Sequence, residues 1–161
     1  MESATMKRSY STFERLCRQT FQFLVDDFGF KLTSIERGPI NVGIHITYKS
    51  PVTAVEVSFE PRENTLFVSL IRFVNGKMPE YLLKYPMNTF YVDELIDLKS
   101  PSLRVEQKKT SELLSSREVQ AILKQYADAL RQIGADVLRG DMRVFSELEK
   151  RRNVEKEKSR Q

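Results

Sequence analysis

The chain predicts an α+β fold, a two-layer sandwich in which an antiparallel sheet of about four strands is covered by an N-terminal and a long C-terminal helix. Three observations carry this expectation. Apolar residues recur at helical spacing near both ends of the chain and at alternating spacing between them. The alternating segments are joined by short connections, which suit antiparallel pairing, whereas parallel strands need long crossovers. A sheet with an apolar face must be covered, and the two terminal helices are the segments long enough to cover it.

Composition bounds the answer. The 161 residues fit one domain, and 40% hydrophobic with 30% charged residues is the make-up of a globular protein. Cys17 is the one cysteine, so an intrachain disulfide is excluded. It falls on an apolar helix stripe and reads as a buried thiol, which fits a reducing compartment. Residues 1–8 lead into no signal-peptide core. The apolar runs are broken by charges before the roughly 18 residues a spanning helix needs. A cytoplasmic protein with no membrane association is expected.

Taken in order, residues 1–10 are polar and expected to fray. Ser11 and Glu14 have capping-box spacing and are expected to open the first helix. Phe13, Leu16, Cys17, Phe21, Leu24, Val25 and Phe28 form its apolar stripe, and Gly29 is placed to end it. Phe30, Leu32 and Ile35 suggest a first strand ending near Gly38-Pro39. Ile44, Ile46 and Tyr48 alternate with His45, Thr47 and Lys49 in a second, closed by a turn at Ser50-Pro51. Val55, Val57 and Phe59 alternate with Glu56, Ser58 and Glu60 in a third, whose polar residues predict a wet face. Thr65 to Val74 is almost continuously apolar, as in a central strand covered on both faces, and Asn75-Gly76 ends it.

Residues 77–110 are irregular, with two prolines and Tyr81 and Tyr85 in the first ten. Phe90 to Leu98 can start extended and turn helical around Asp93, and residues 99–112 read as a mobile surface loop. A connection this long is often functional. Ser115 and Glu118 then form a second capping box. Val119, Ile122, Leu123, Tyr126, Ala127, Leu130, Ile133, Val137 and Leu138 continue as one apolar helix face. Gly134 interrupts that helix at an inward position, as close approach to the sheet would require. Gly140 is placed to stop it, and Asp141 to cap a short helix carrying Val144, Phe145 and Leu148. The domain is thus expected over 1–148, with a charged, mobile tail over 149–161. That tail holds six bases and three acids, leaving +1 of the net +4 for the body.

No catalytic, metal or cofactor residues are assigned, and no cofactor is expected. His45 is the sole histidine, so Ser–His or Cys–His catalysis would have to use it. Its mid-strand position, opposite to Ile44 and Ile46, reads as a surface or lightly buried histidine. One His and one Cys do not make a zinc cage. His-Glu-x-x-His, Gly-x-Gly-x-x-Gly and Gly-Lys-Ser/Thr patterns do not occur.

The leading expectation is a non-catalytic protein-binding module. Its candidate partner-binding residues are Tyr81, Tyr85, Phe90 and Tyr91, aromatic side chains in the irregular segment of the kind that anchor interfaces. The alternative is a small carboxylate-dependent hydrolase or nuclease using Glu56, Glu60 and Asp93. Against it, Glu56 and Glu60 suit a solvated strand face, and Asp93 suits a helix cap. A third reading is weak nucleic-acid binding through the basic tail, against which the interleaved glutamates argue. A homodimer could form through a sheet face or the long helix.

The pattern Tyr126-Ala-Asp-Ala-Leu130, Gly134-Ala-Asp-Val-Leu-Arg-Gly-Asp141 and Phe145-Ser-Glu-Leu148 resembles the ending of small uncharacterised bacterial α+β proteins of accessory or toxin-immunity type. The resemblance implies a bacterial, non-enzymatic protein with a protein partner, and it transfers no catalytic residue.

Overall fold

A computed structural model describes residues 4–38 and 43–161 of the chain. Helices α1 (Ala4–Thr20) and α2 (Gln22–Phe28) precede strands β1 (Lys31–Arg37), β2 (Ile44–Lys49), β3 (Thr53–Glu60) and β4 (Thr65–Arg72). A four-residue helix α3 (Tyr81–Lys84) leads to β5 (Thr89–Tyr91) and α4 (Val92–Lys99). Helices α5 (Ser116–Ile133), α6 (Ala135–Leu138) and α7 (Arg143–Ser159) complete the chain. The protein is α+β, as expected, with five antiparallel strands in the order β1-β2-β3-β4-β5. The fifth strand is the extended start of the Phe90–Leu98 segment, which turns helical at Val92. The strand end expected at Gly38-Pro39 falls partly outside the described residues.

Strand alternation sorts the sheet into two faces. Ile46, Val57 and Val68 lie side by side, and Tyr48, Val55, Leu70 and Phe90 form the next row. These pack with Phe13, Leu16, Cys17, Phe21 and Leu24 of the N-terminal helices and Val119, Ile122, Leu123, Tyr126 and Leu130 of α5 in one core. Each such side chain contributes roughly 1.5–3 kcal/mol on burial. Among them, burial pushes the Cys17 thiol well above its ordinary pKa, so it stays protonated and unreactive. Gly43, at φ 80°, leads into β2 against β3, where a Cβ would collide with the Phe59 carbonyl.

The ends of the helices differ from expectation in three places. The first helix starts at Ala4, and Ser11 and Glu14 lie inside it, because Tyr10 extends the buried stripe upstream. Gly134 caps α5, and the close approach there is to the helix itself, since a Cβ would stand 2.8 Å from the Leu130 carbonyl oxygen. The boundary at 148 does not exist as a break: α7 runs through it to Ser159. Glu149 accepts from Arg72 at 3.0 Å, Arg151 donates to the Asp97 carbonyl at 3.2 Å, and Arg152 donates to Glu94 at 2.7 Å.

The 104–114 stretch is also tied down. Gln107 donates to the Leu66 carbonyl and accepts from the Leu66 N–H, acting as a one-residue strand partner for β4. Asn64 donates to the Thr110 carbonyl at 3.2 Å and accepts from the Leu114 N–H at 3.1 Å.

Candidate functional site

The second face of the sheet carries the polar alternates. Register places His45 beside Ser58 and Ser58 beside Phe67; the next row is Thr47, Glu56, Ser69 and Tyr91. The sequence predicts a wet face for β3, but Glu56 and Ser58 are buried. The reason is the segment after β4, which folds back over them.

Glu56 holds that segment from beneath. Lys84 Nζ donates to Glu56 Oε2 at 2.6 Å, and Tyr85 Oη donates to Oε1 at 2.7 Å. A carboxyl group placed between an ammonium and a phenol has both oxygens satisfied, which offsets the cost of burying it. Burial, then the Glu56 charge, raises the Tyr85 pKa, so its hydroxyl remains a donor. The Asn88 N–H donates to the Lys84 carbonyl at 2.9 Å, and Arg72 Nε donates to Asn88 Oδ1 at 3.1 Å, closing the loop against β4.

Beside this clamp the roof and the sheet border an open cavity of about 430 Å³. His45, Ser58 and Ser69 floor it. Two ring pairs line it: Phe67 and Tyr91 with centroids 5.6 Å apart, and Tyr81 and Tyr85 at 6.2 Å. Glu60 supplies the carboxylate.

His45 Nδ1 and Ser58 Oγ are hydrogen-bonded across 2.8 Å, the contact that a base and nucleophile would make. Ser58 nevertheless sits in the middle of the central strand, paired with His45 on one side and Phe67 on the other. Its backbone donors belong to the ladders, and so do not converge on an oxyanion. The pair therefore fixes the floor of the cavity more readily than it activates a nucleophile.

Of the expected partner-binding residues, Tyr81, Tyr85 and Tyr91 are exposed and line the cavity, and Tyr81 is 79% exposed. Phe90 is not available: it is fully buried on the core face, 5.7 Å from the Phe145 ring and under the Arg152 guanidinium. Its alternation with Tyr91 dictates this once the segment is a strand. Sequence reasoning missed Leu82, Leu83 and Met87, which are exposed beside Tyr81; the tandem Leu82-Leu83 between two prolines was the available signal.

The three carboxylates of the hydrolase alternative do not come together. Glu56 is consumed by Lys84 and Tyr85, Glu60 lines the cavity, and Asp93 lies on α4 accepting from Tyr126 Oη at 3.0 Å. Asp93 is not the cap of that helix; Glu94 accepts from the Tyr91 N–H at 2.8 Å instead. Among the described residues no group of three or more His, Cys, Asp or Glu is placed to hold a metal ion. No helix of the described residues is long and apolar enough to cross a membrane. No known protein family matches the chain, nor does any curated protein or solved structure.

Proposed function

We propose that the chain is a non-catalytic protein-binding module that meets its partner through the ridge from Tyr81 to Tyr91. The observation that carries this is where the exposed apolar side chains lie. Among the described residues, six of the ten exposed large hydrophobic side chains (Tyr81, Leu82, Leu83, Tyr85, Met87 and Tyr91) fall within this one segment, and Leu82 is 83% exposed, whereas Val52, Val74, Leu113 and Val154 are scattered along the chain. Single exposed apolar residues are ordinary; a cluster of them marks an interaction surface. The segment is also clamped to the sheet by Glu56, which lowers the ordering cost of binding.

In its narrower form, prompted by the resemblance of the C-terminal pattern, the partner is a bacterial toxin that this chain neutralises. The test is affinity capture with the full chain and with a Leu82→Ser/Leu83→Ser variant. Both leucines are solvent-facing, so the variant should unfold within about 0.5 kcal/mol of the parent. The parent is expected to retain a stoichiometric protein that the variant loses. Equal capture by both, or no stoichiometric protein with either, would overturn the proposal.

A further inference from the structure

We infer that the cavity beneath the ridge is a binding site for an alkylammonium cation. Its walls are the rings of Phe67, Tyr81, Tyr85 and Tyr91, and aromatic faces attract ammonium groups through their quadrupoles. Its one carboxylate is Glu60, and among the described residues no Lys or Arg lines it. The lining thus combines aromatic rings with a negative charge, complementary to an organic cation and unfavourable to an anion.

One of the four rings already carries a cation of the chain itself, which leaves Phe67, Tyr81 and Tyr91 for a ligand. Lys84 Nζ lies 5.0 Å from the centroid of the Tyr85 ring while it donates to Glu56. Lys84 and Glu56 neutralise one another below the roof, so Glu60 is left as the charge facing the cavity. At about 430 Å³ the space takes a trimethylammonium group or the end of a lysine side chain. The floor adds hydroxyl acceptors: Ser58, fixed by His45 at 2.8 Å, and Ser69. These suit a primary ammonium better than a quaternary one, since only the former has N–H groups to donate.

The same chemistry could arrive as a partner's lysine or as a free small cation, and two probes separate these sources. The full chain would be titrated with N-acetyl-lysine methylamide, with choline, and with 3,3-dimethylbutan-1-ol, the uncharged isostere of choline, while NMR follows the aromatic resonances of Tyr81, Tyr91 and Phe67. Either cation is expected to shift these saturably, and choline to bind about tenfold tighter than its neutral isostere. Glu60→Gln should weaken cation binding several-fold and leave the isostere unaffected, which separates lost charge from lost shape. Tighter binding of the lysine derivative assigns the site to a partner side chain, and tighter binding of choline to a free cation. Equal affinity for choline and the neutral alcohol, or no saturable shift with either cation, would overturn the inference. Leu82→Ser/Leu83→Ser leaves all four rings in place, so the ridge can fail as a docking surface while the cation site stands, and the reverse.

Discussion

Lys84 Nζ donates to Glu56 Oε2 across 2.6 Å, and both side chains are nearly out of contact with solvent. With the Tyr85 hydroxyl on the other Glu56 oxygen, this pair joins the roof of the cavity to the central strand. Removing one member of a buried pair leaves the other charge without compensation, at a cost of about 3–5 kcal/mol, whereas replacing both by apolar groups is often close to neutral. Glu56→Ala should therefore lower unfolding stability in urea by about 3 kcal/mol. The Glu56→Met/Lys84→Met double variant should recover most of that loss. A Glu56→Ala protein within about 0.5 kcal/mol of the parent would show that the pair does not hold the roof.

Arg152 is the second fastening. It donates to Glu94 at 2.7 and 3.1 Å, to the Thr89 carbonyl at 2.9 Å and to the Pro86 carbonyl, with its guanidinium 4.3 Å from the Phe90 ring centroid. Only a planar fork with several donors satisfies carboxylate, carbonyls and ring together. Arg152→Ala is expected to cost about 2–4 kcal/mol, since charged hydrogen bonds contribute about 1.5–3 kcal/mol each and share one side chain here. Arg152→Lys should recover less than half. Deleting residues 154–161, all of which are exposed, should leave the urea midpoint nearly unchanged. A deletion as damaging as Arg152→Ala would move the anchor beyond that residue.

Gly43 gives a prediction about backbone alone. At φ 80°, with the Phe59 carbonyl where a side chain would stand, the position meets both a conformational and a steric barrier. Gly43→Ala should destabilise by more than about 2 kcal/mol, measured by thermal unfolding, because strain of this kind typically costs about 1–3 kcal/mol before the clash is added. Gly76→Ala, at φ 72° but with open space around it, should cost less.

What was legible in the sequence follows the range of the interaction. The Ser115–Glu118 capping box forms as its spacing predicts, with the Glu118 N–H donating to Ser115 Oγ at 3.2 Å, because both partners are local. The identical spacing at Ser11 and Glu14 falls inside a helix, since Tyr10 buries its ring one residue upstream of the expected cap. Alternation assigned Glu56 and Ser58 to the polar face correctly, but alternation does not say whether a face is covered. That depended on Lys84, 28 residues away, just as the docking of α7 depended on Glu94, 58 residues before Arg152. The sequence predicts an extended start at Phe90 but not a fifth strand of the sheet, because three residues carry little period and the pairing of β5 with Ser69 to Ile71 is tertiary. The site was thus half visible: its tyrosines by composition, its floor and clamp only once the chain had folded over them.

Asp93 makes its own contribution to the pH dependence. Tyr126 Oη donates to both of its oxygens at 3.1 and 3.0 Å, and Gln107 Nε2 donates to Tyr126 Oη at 3.2 Å. Burial raises the Asp93 pKa above its ordinary 3.8, and the Tyr126 hydroxyl opposes this without cancelling it. The native state therefore holds the proton over a range of pH where the unfolded chain has already lost it. By linkage, the contribution of Asp93 is fully present below about 3.8 and is lost as pH rises through the raised value. Asn at this position keeps an acceptor for Tyr126 and does not titrate. The urea stability of the parent, relative to Asp93→Asn, should accordingly fall as pH increases from about 3.8 through the raised value and level off above it. Parallel pH profiles for the two proteins would mean that Asp93 titrates alike in the folded and unfolded chain, and that its burial behind Tyr126 carries no electrostatic cost.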